Sequence, residues 1–301
     1  MRRLTGAEMV LRVYLAIFFV YLFSPLVIMG IATFNDSRFP TVTPWRGGTL
    51  KWFAALWADE NMREALWNSI WVGLAVIALS VPIGIGAALL LTGLAPRARS
   101  VVYGVMVSPL LTPGVIIGIS TLVFWNRFGV PAGLHLAVIG QSSFITAYVM
   151  LMVLARMQRF DRTLEEAALD LGASHAQVFR RILMPHLKPA VLAASVLAFL
   201  QSFENFNTTL FVRGTQTTLT VYIASKVRTG LTPAVNALGL ILIVITVTAA
   251  VVYGIYRRRE ERRAGSARQA DVSDIAASLN LARDAAGIGR ARVIAVAPAG
   301  D

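Results

Sequence analysis

The chain contains no cysteine. Disulfides and thiolate metal sites are thereby excluded. Histidine is almost missing. His135, His175 and His186 stand apart, and no two share the i, i+4 spacing of a helical zinc motif. No metal site and no catalytic residue is expected. Acidic residues are scarce, 16 against 28 lysines and arginines. Charges of both signs make up only 15% of the 301 residues, where a soluble domain carries about a quarter. Apolar residues fill the gap at 56%, and the mean hydropathy is +0.65. This is the composition of an integral membrane protein in contact with lipid. The formal charge of +12 does not indicate nucleic acid. The basic residues flank apolar runs, where Lys and Arg set membrane topology.

A membrane helix needs about 20 mostly apolar residues. Six segments qualify: residues 10–34, 66–91, 101–124, 134–154, 189–211 and 236–256. The expected fold is all-α, a six-helix polytopic membrane domain over residues 1–256 with a tail over 257–301. The first run exceeds the apolar part of a secretion signal, and no small-residue cleavage site follows, so it is expected to remain a span. Six spans put both termini on one side. With that side cytoplasmic, the inner segments hold 20 of the 28 lysines and arginines, among them Arg156, Arg159, Arg162, Arg180, Arg181 and Lys188. Both termini are therefore expected inside.

Two segments depart from plain apolar runs. Ser108-Pro109-Leu110-Leu111-Thr112-Pro113-Gly114 interrupts the third span. Broken backbone at that depth is tolerated where protein or a water-filled cavity covers it. It is either a packing kink or part of a pathway. In the tail, Asp274–Ala285 has the pattern of a short helix. The Gly287-Ile288-Gly289 that follows is no dinucleotide fingerprint, since no strand precedes it and the third glycine is missing.

The loop over 159–186, between spans four and five, is polar yet patterned. Thr163-Leu164-Glu165-Glu166 fits a capping box, in which the Thr163 hydroxyl would accept from the Glu166 N–H. Leu164, Ala167, Ala168 and Leu171 follow at i, i+3, i+4 and i+7, one apolar stripe on a short helix. Gly172 stands where a left-handed residue would end it. Ser174-His175-Ala176-Gln177 repeats the capping pattern, and Val178, Phe179 and Ile182 line a second helix that Pro185 is expected to limit. Helices this short are marginal in water, so they must pack on something. That is either the inner face of the membrane domain or another protein.

Glu166-Ala167-Ala168, three residues, Gly172, nine residues, then Ile182-Leu183-Met184-Pro185 resembles the EAA loop of bacterial ABC importer permeases. Met184 stands where the usual pattern has leucine. The resemblance implies a coupling helix seated in a cytoplasmic ATPase subunit. Glu165, Glu166, Ala167, Ala168, Asp170, Gly172 and Ala173 would lie at or near that joint. It also implies two ATPase copies, a second homologous permease, an extracytoplasmic solute-binding protein and a place in the bacterial inner membrane. ATP and Mg would sit on the ATPase, and this chain has no GxxxxGK[ST] loop of its own. Between about Val101 and Tyr256 the chain most resembles spermidine/putrescine permeases of the second-subunit type, in stretches such as MVSPLLTPGVIIGISTLVFW and LMPHLKPAVLAASVLAFLQSFENFNTTLFVRG.

Span five ends in Gln201-Ser202-Phe203-Glu204-Asn205-Phe206-Asn207. Glu204 lies about 22 Å beyond Pro189, toward the outer side of a core about 30 Å thick. A carboxylate there is costly unless it faces a cavity or a partner. Gln201, Glu204, Asn205 and Asn207 are candidate pathway residues, Glu204 for a cation. Otherwise Glu204 is an interfacial residue bonded to its neighbours. Polyamine permeases of this kind usually carry an adjacent acidic pair, and here Asn205 takes the second place. The expected function is half of an importer's translocation pathway, with a polyamine leading as substrate. Another organic cation, an amino-acid-like solute, iron or thiamine are the other candidates. A secondary transporter or channel would need inverted repeats or more intramembrane charges, and neither is present. A membrane anchor that only recruits a partner is the remaining rival.

Overall fold

The computed structural model describes residues 6–230, 232–248, 251–252 and 254–255. Among them every regular element is helical: α1 (Gly6–Thr33), α2 (Lys51–Ala58), α3 (Glu60–Gly93), α4 (Pro96–Leu111), α5 (Gly114–Asn126), α6 (Leu134–Met157), α7 (Thr163–Asp170), α8 (His175–Val178), α9 (Met184–Phe203), α10 (Thr209–Val212), α11 (Leu219–Thr229) and α12 (Pro233–Thr248). The chain divides into two units, Met1–Leu238 and Gly239–Asp301. The first holds every site described below. The tail beyond 256, with the expected helix over Asp274–Ala285, lies outside the described residues.

Four helical runs are long and apolar enough to cross a membrane: α1, α3, α6 and the run His175–Phe203. α1 is nearly bare, with only Ala32 and Thr33 buried. An apolar rod without protein cover is what lipid contact requires, because its backbone is satisfied internally. α12 has 16 residues, shorter than the expected sixth span over 236–256; part of that span lies outside the described residues.

Two spans differ from expectation. The third is not one helix. α4 and α5 meet at an angle of 102°. Pro113 cannot donate a backbone hydrogen bond. Thr112 compensates: its N–H donates to the Pro109 carbonyl at 3.2 Å and its hydroxyl to the Ser108 carbonyl at 3.2 Å. The fifth span ends at Phe203, not 211. The Asn205 side chain there starts a separate helix, α10.

The core is a three-helix contact of α3, α6 and α9. Val76, Ala88 and Leu91 from α3 meet Ile145, Met150 and Val153 from α6 and Leu187, Ala194 and Ala198 from α9, all almost fully buried. Association of helices in lipid depends on close packing rather than on escape from water. Gly84 provides it. A Cβ there would stand 2.7 Å from Val149 Cβ and 3.1 Å from the Met150 backbone nitrogen. We therefore expect Gly84→Ala to lower detergent-solubilised stability by about 1–3 kcal/mol through overpacking. Gly86→Ala, where no atom lies within 4 Å of the added carbon, leaves it within error. Thermal unfolding of the two variants side by side checks this.

Candidate functional site

Two clusters lie at opposite ends of α6 and α9. At one end, α6 leads into the loop that carries α7 and α8. The loop begins on Asp161, whose carboxylate accepts from the Thr163 N–H at 3.0 Å and from the Thr163 hydroxyl at 2.8 Å. These two bonds, the hydroxyl's first, hold the Asp161 pKa below its ordinary value, against a weaker opposing desolvation. The expected Thr163–Glu166 capping box does not form. Thr163 is already inside the helix and spends its hydroxyl on the better acceptor two residues back. The Glu166 N–H bonds the Arg162 carbonyl at 3.1 Å instead.

The helix stop is as expected. Gly172 has φ +83°. Its N–H reaches the Leu169 carbonyl at 2.9 Å, and the Ala173 N–H reaches Ala168 at 3.0 Å. This pair of bonds is the Schellman closure, which favours glycine because a Cβ is strained at that φ. The second capping box is also present: the Ser174 hydroxyl accepts from the Gln177 N–H at 3.3 Å, and the Gln177 side chain accepts from the Ser174 N–H at 2.8 Å.

Pro185 does not end the second helix. α8 passes into α9 through one π-helical turn, Phe179–Leu183, in which the Met184 N–H bonds the Phe179 carbonyl. A proline ring clashes with the carbonyl four residues back, and the wider turn makes room for it. His175–Phe203 is thus one apolar helical run of 29 residues, about 43 Å long. Arg156 and His186 clamp its base to α6. The Arg156 Nε donates to the His186 carbonyl at 3.0 Å, and the His186 ring lies 3.3 Å from the Arg156 carbonyl.

The expected apolar stripe of α7 divides. Ala168 is half-buried, and α7 packs back on α8 and the π-turn. Leu164, Ala167 and Leu171 are exposed, Leu171 to 89%. Glu165 is half-buried beside Arg162, Thr92 and Leu183, while Glu166 and Asp170 are exposed. The outward apolar patch finds no cover among the described residues, which do not include the whole chain.

At the other end, α9 stops at Glu204. Its side chain is exposed and makes no ion pair or hydrogen bond among the described residues. Asn205 is engaged by the chain itself. Its Oδ1 accepts from the Thr208 and Thr209 N–H groups at 3.2 and 3.3 Å and from the Thr209 hydroxyl at 3.2 Å. Gln201 is half-buried and Asn207 exposed. The four candidate pathway residues therefore share one turn but not one role.

Residues not singled out by sequence hold that turn in place. Buried Gln141 of α6 accepts from the Ser202 hydroxyl at 2.5 Å and donates to the Thr209 hydroxyl at 2.8 Å. Thr208 lies on a glycine floor, its hydroxyl donating to the Gly114 carbonyl at 3.1 Å. A Cβ on Gly118 would stand 2.7 Å from the Thr208 carbonyl oxygen, and one on Gly140 3.0 Å from Thr208 Cγ2. The Gly114-x-x-x-Gly118 spacing was a visible signal of such close approach. Beyond α10, Asp59 at the start of α3 binds α11. Its carboxylate accepts from Tyr222 at 2.6 Å and from the Met62 N–H at 3.1 Å and lies 3.3 Å from Lys226. Burial pushes the Asp59 pKa up, but these partners outweigh it and leave it below its ordinary value.

The chain thus combines a bent third span, a helix–glycine–helix loop with an outward apolar face and a continuous rod behind it. The family described as "binding-protein-dependent transport system inner membrane component" matches residues 53–262. The chain belongs to that family. Among its relatives, the putrescine transport system permease protein PotI of Escherichia coli (strain K12) is 32% identical over 260 residues, covering 83% of this chain and 92% of that protein. The spermidine/putrescine transport system permease protein PotC of the same organism is 30% identical over 239 residues, covering 79% and 90%. A crystal structure of a bacterial ABC transporter that imports alginate contains a chain of the same fold, with TM-score 0.64 at 16% identity, covering 86% of this chain and 99% of that one. The methionine transporter MetNI has one at TM-score 0.53 and 19% identity, covering 67% and 94%.

For this permease the loop geometry makes a discriminating prediction. Asp161→Ala removes the bonds that start α7, and Gly172→Ala strains the stop by roughly 1 kcal/mol or more. Both should raise amide hydrogen exchange over residues 163–170 in the nanodisc-embedded protein. Glu166→Gln should not, because no capping box depends on it.

Proposed function

We propose that this permease subunit forms half of the pathway of an ATP-driven polyamine importer. The relatives named for putrescine and for spermidine/putrescine transport support the substrate class. The single observation that carries the cation reading is Glu204, an exposed carboxylate at the end of the α9 rod with no partner among the described residues. A carboxylate there attracts an ammonium group and costs little while water reaches it.

The second half of the pathway would come from a homologous permease, and two ATPase subunits would bind the side carrying Gly172. Both termini then face the cytoplasm. The exposed patch of Leu164, Ala167 and Leu171 would dock in the ATPase, with Glu165, Glu166, Ala168, Asp170, Gly172 and Ala173 shaping the joint. ATP and Mg belong to the ATPase, and this chain supplies no catalytic group. ATP binding would close the ATPase pair and move the two loops as levers, since α8 and α9 are one rod. A shift in the spans requires that the patch contact the ATPase differently in the two states. A solute-binding protein would deliver the cargo at the opposite end.

Two variants test separate parts of this reading in proteoliposomes holding the whole complex. Leu171→Asp should reduce co-purification of the ATPase and lower ATP-driven putrescine uptake at least about 10-fold, the loss of roughly 1.4 kcal/mol of contact. Glu204→Gln should raise the KM for putrescine by a similar factor while assembly stays intact. Unchanged uptake in Glu204→Gln removes the pathway role. Uptake of another solute class in place of putrescine removes the polyamine assignment. Uptake without ATP removes the importer reading altogether.

A further inference from the structure

A cleft of about 570 Å³ opens between the start of α4 and the last turns of α6, at the Gly172 end of the bundle. α4 lines it with Arg99, Ser100 and Tyr103, and the residue that ends α6, Gln158, faces them. Arg99 and Tyr103 stand at i and i+4, one face of the helix. Leu154 and Leu151, which also line the cleft, come one and two turns before Gln158. The wall is therefore polar at the helix ends and apolar deeper in.

Arg99 is half-buried, and its side chain makes no hydrogen bond among the described residues. The ion pairs there engage Lys51, Arg63 and Lys226, not Arg99. The chain has no counter-charge nearby in sequence, since no Asp or Glu stands between Glu64 and Asp161. Asp161 spends its carboxylate on Thr163.

The surroundings identify the missing anion. α4 and α5 together form a broken membrane span. No residue of α4 is buried, and Val101 and Val105 are each 68% exposed. The cleft thus opens on an apolar surface, with its cation in the first turn of the span. An anionic phospholipid carries its phosphate at that level and its chains deeper. A guanidinium matches phosphate oxygens in a two-pronged contact, and tyrosine favours the same interface. Basic pockets between membrane helices take anionic headgroups. We propose that this cleft binds an anionic phospholipid of the leaflet at the Gly172 end. Its phosphate rests on Arg99 among Ser100, Tyr103 and Gln158, and its first acyl carbons lie along Leu154 and Leu151. A free phosphate or a partner's carboxylate would use Arg99 equally well but has no use for the apolar wall. The lipid would brace α4 against α6 just before the chain enters the loop that carries α7.

The test uses the full chain in its assembled complex, in phosphatidylcholine nanodiscs. The discs carry a small share of photoactivatable phosphatidylglycerol or, separately, photoactivatable phosphatidylcholine with the same chains. Crosslinked peptides are mapped by mass spectrometry. Phosphatidylglycerol should label segments 94–103 and 151–158 at least about 5-fold more than phosphatidylcholine, the preference that one interfacial cation confers. Arg99→Gln should abolish this preference and Arg99→Lys should keep most of it. Arg127→Gln, at the opposite end of the bundle, should leave it unchanged. Equal labelling of the wild type by the two lipids overturns the inference, whatever the variants do. So does a preference that survives Arg99→Gln. Labelling by neither lipid would assign the cleft to a protein interface, and loss of the signal on adding inorganic phosphate would assign it to a soluble anion; either result overturns the lipid site. Transport is not part of the readout, so the polyamine reading stands or falls separately.

Discussion

One buried amide joins the parts of this bundle that sequence order keeps apart. Gln141 lies inside α6, where an unpaired amide would be expensive. It accepts a hydrogen bond from the Ser202 hydroxyl on α9 and donates one to the Thr209 hydroxyl on α10. Thr209 in turn bonds the Asn205 oxygen that opens α10. This network ties the end of α9 beside Glu204 and the start of α10 to α6. In a low-dielectric interior such a network either closes fully or costs more than an apolar core, which makes it specify one arrangement of the helices.

The opposite end depends on a different device. A proline near a helix start usually marks a boundary between two elements. Here a π-turn absorbs Pro185, so the capped start at Ser174 and the end at Phe203 belong to one rod. No loop interrupts the chain between Ser174 and the turn at Glu204. The Schellman stop at Gly172 lies between that rod and α7, beside which Leu164 and Leu171 are exposed. In the proposed function, rod, stop and exposed patch would together act as a lever with a contact surface.

Much of this was legible in the residues. The apolar runs located α1, α3 and α6 to within a few residues, since lipid demands about 20 apolar positions in a row whatever the packing. Gly172 and Ser174–Gln177 were readable because their chemistry is local: a left-handed φ and a box closed within four residues. Thr163 was misread because its hydroxyl had two local acceptors or donors to choose among, and sequence order does not rank them. Residues 204–211 were taken into the fifth span, but the Asn205 side-chain oxygen accepts from the backbone N–H groups three and four residues on and opens a separate helix there. The 102° bend between α4 and α5 was visible as a break but not as an angle. The angle depends on what packs beneath it, here Thr208 on bare glycine backbone.

Sequence by itself determined the solvent, the all-helical class and the family, because those rest on composition, on period and on a spaced motif that no packing alters. Only the tertiary structure decided which polar residues near Glu204 are engaged by the chain itself. Asn205 and Glu204 are neighbours with similar chemistry, yet one is spent on capping and the other is left exposed. It likewise decided that Arg99 of α4 and Gln158 at the end of α6 line one cleft. Whether a polar group is satisfied depends on partners brought from 60 or more positions away, as with Gln141 and Ser202, and that information exists only once the helices are packed.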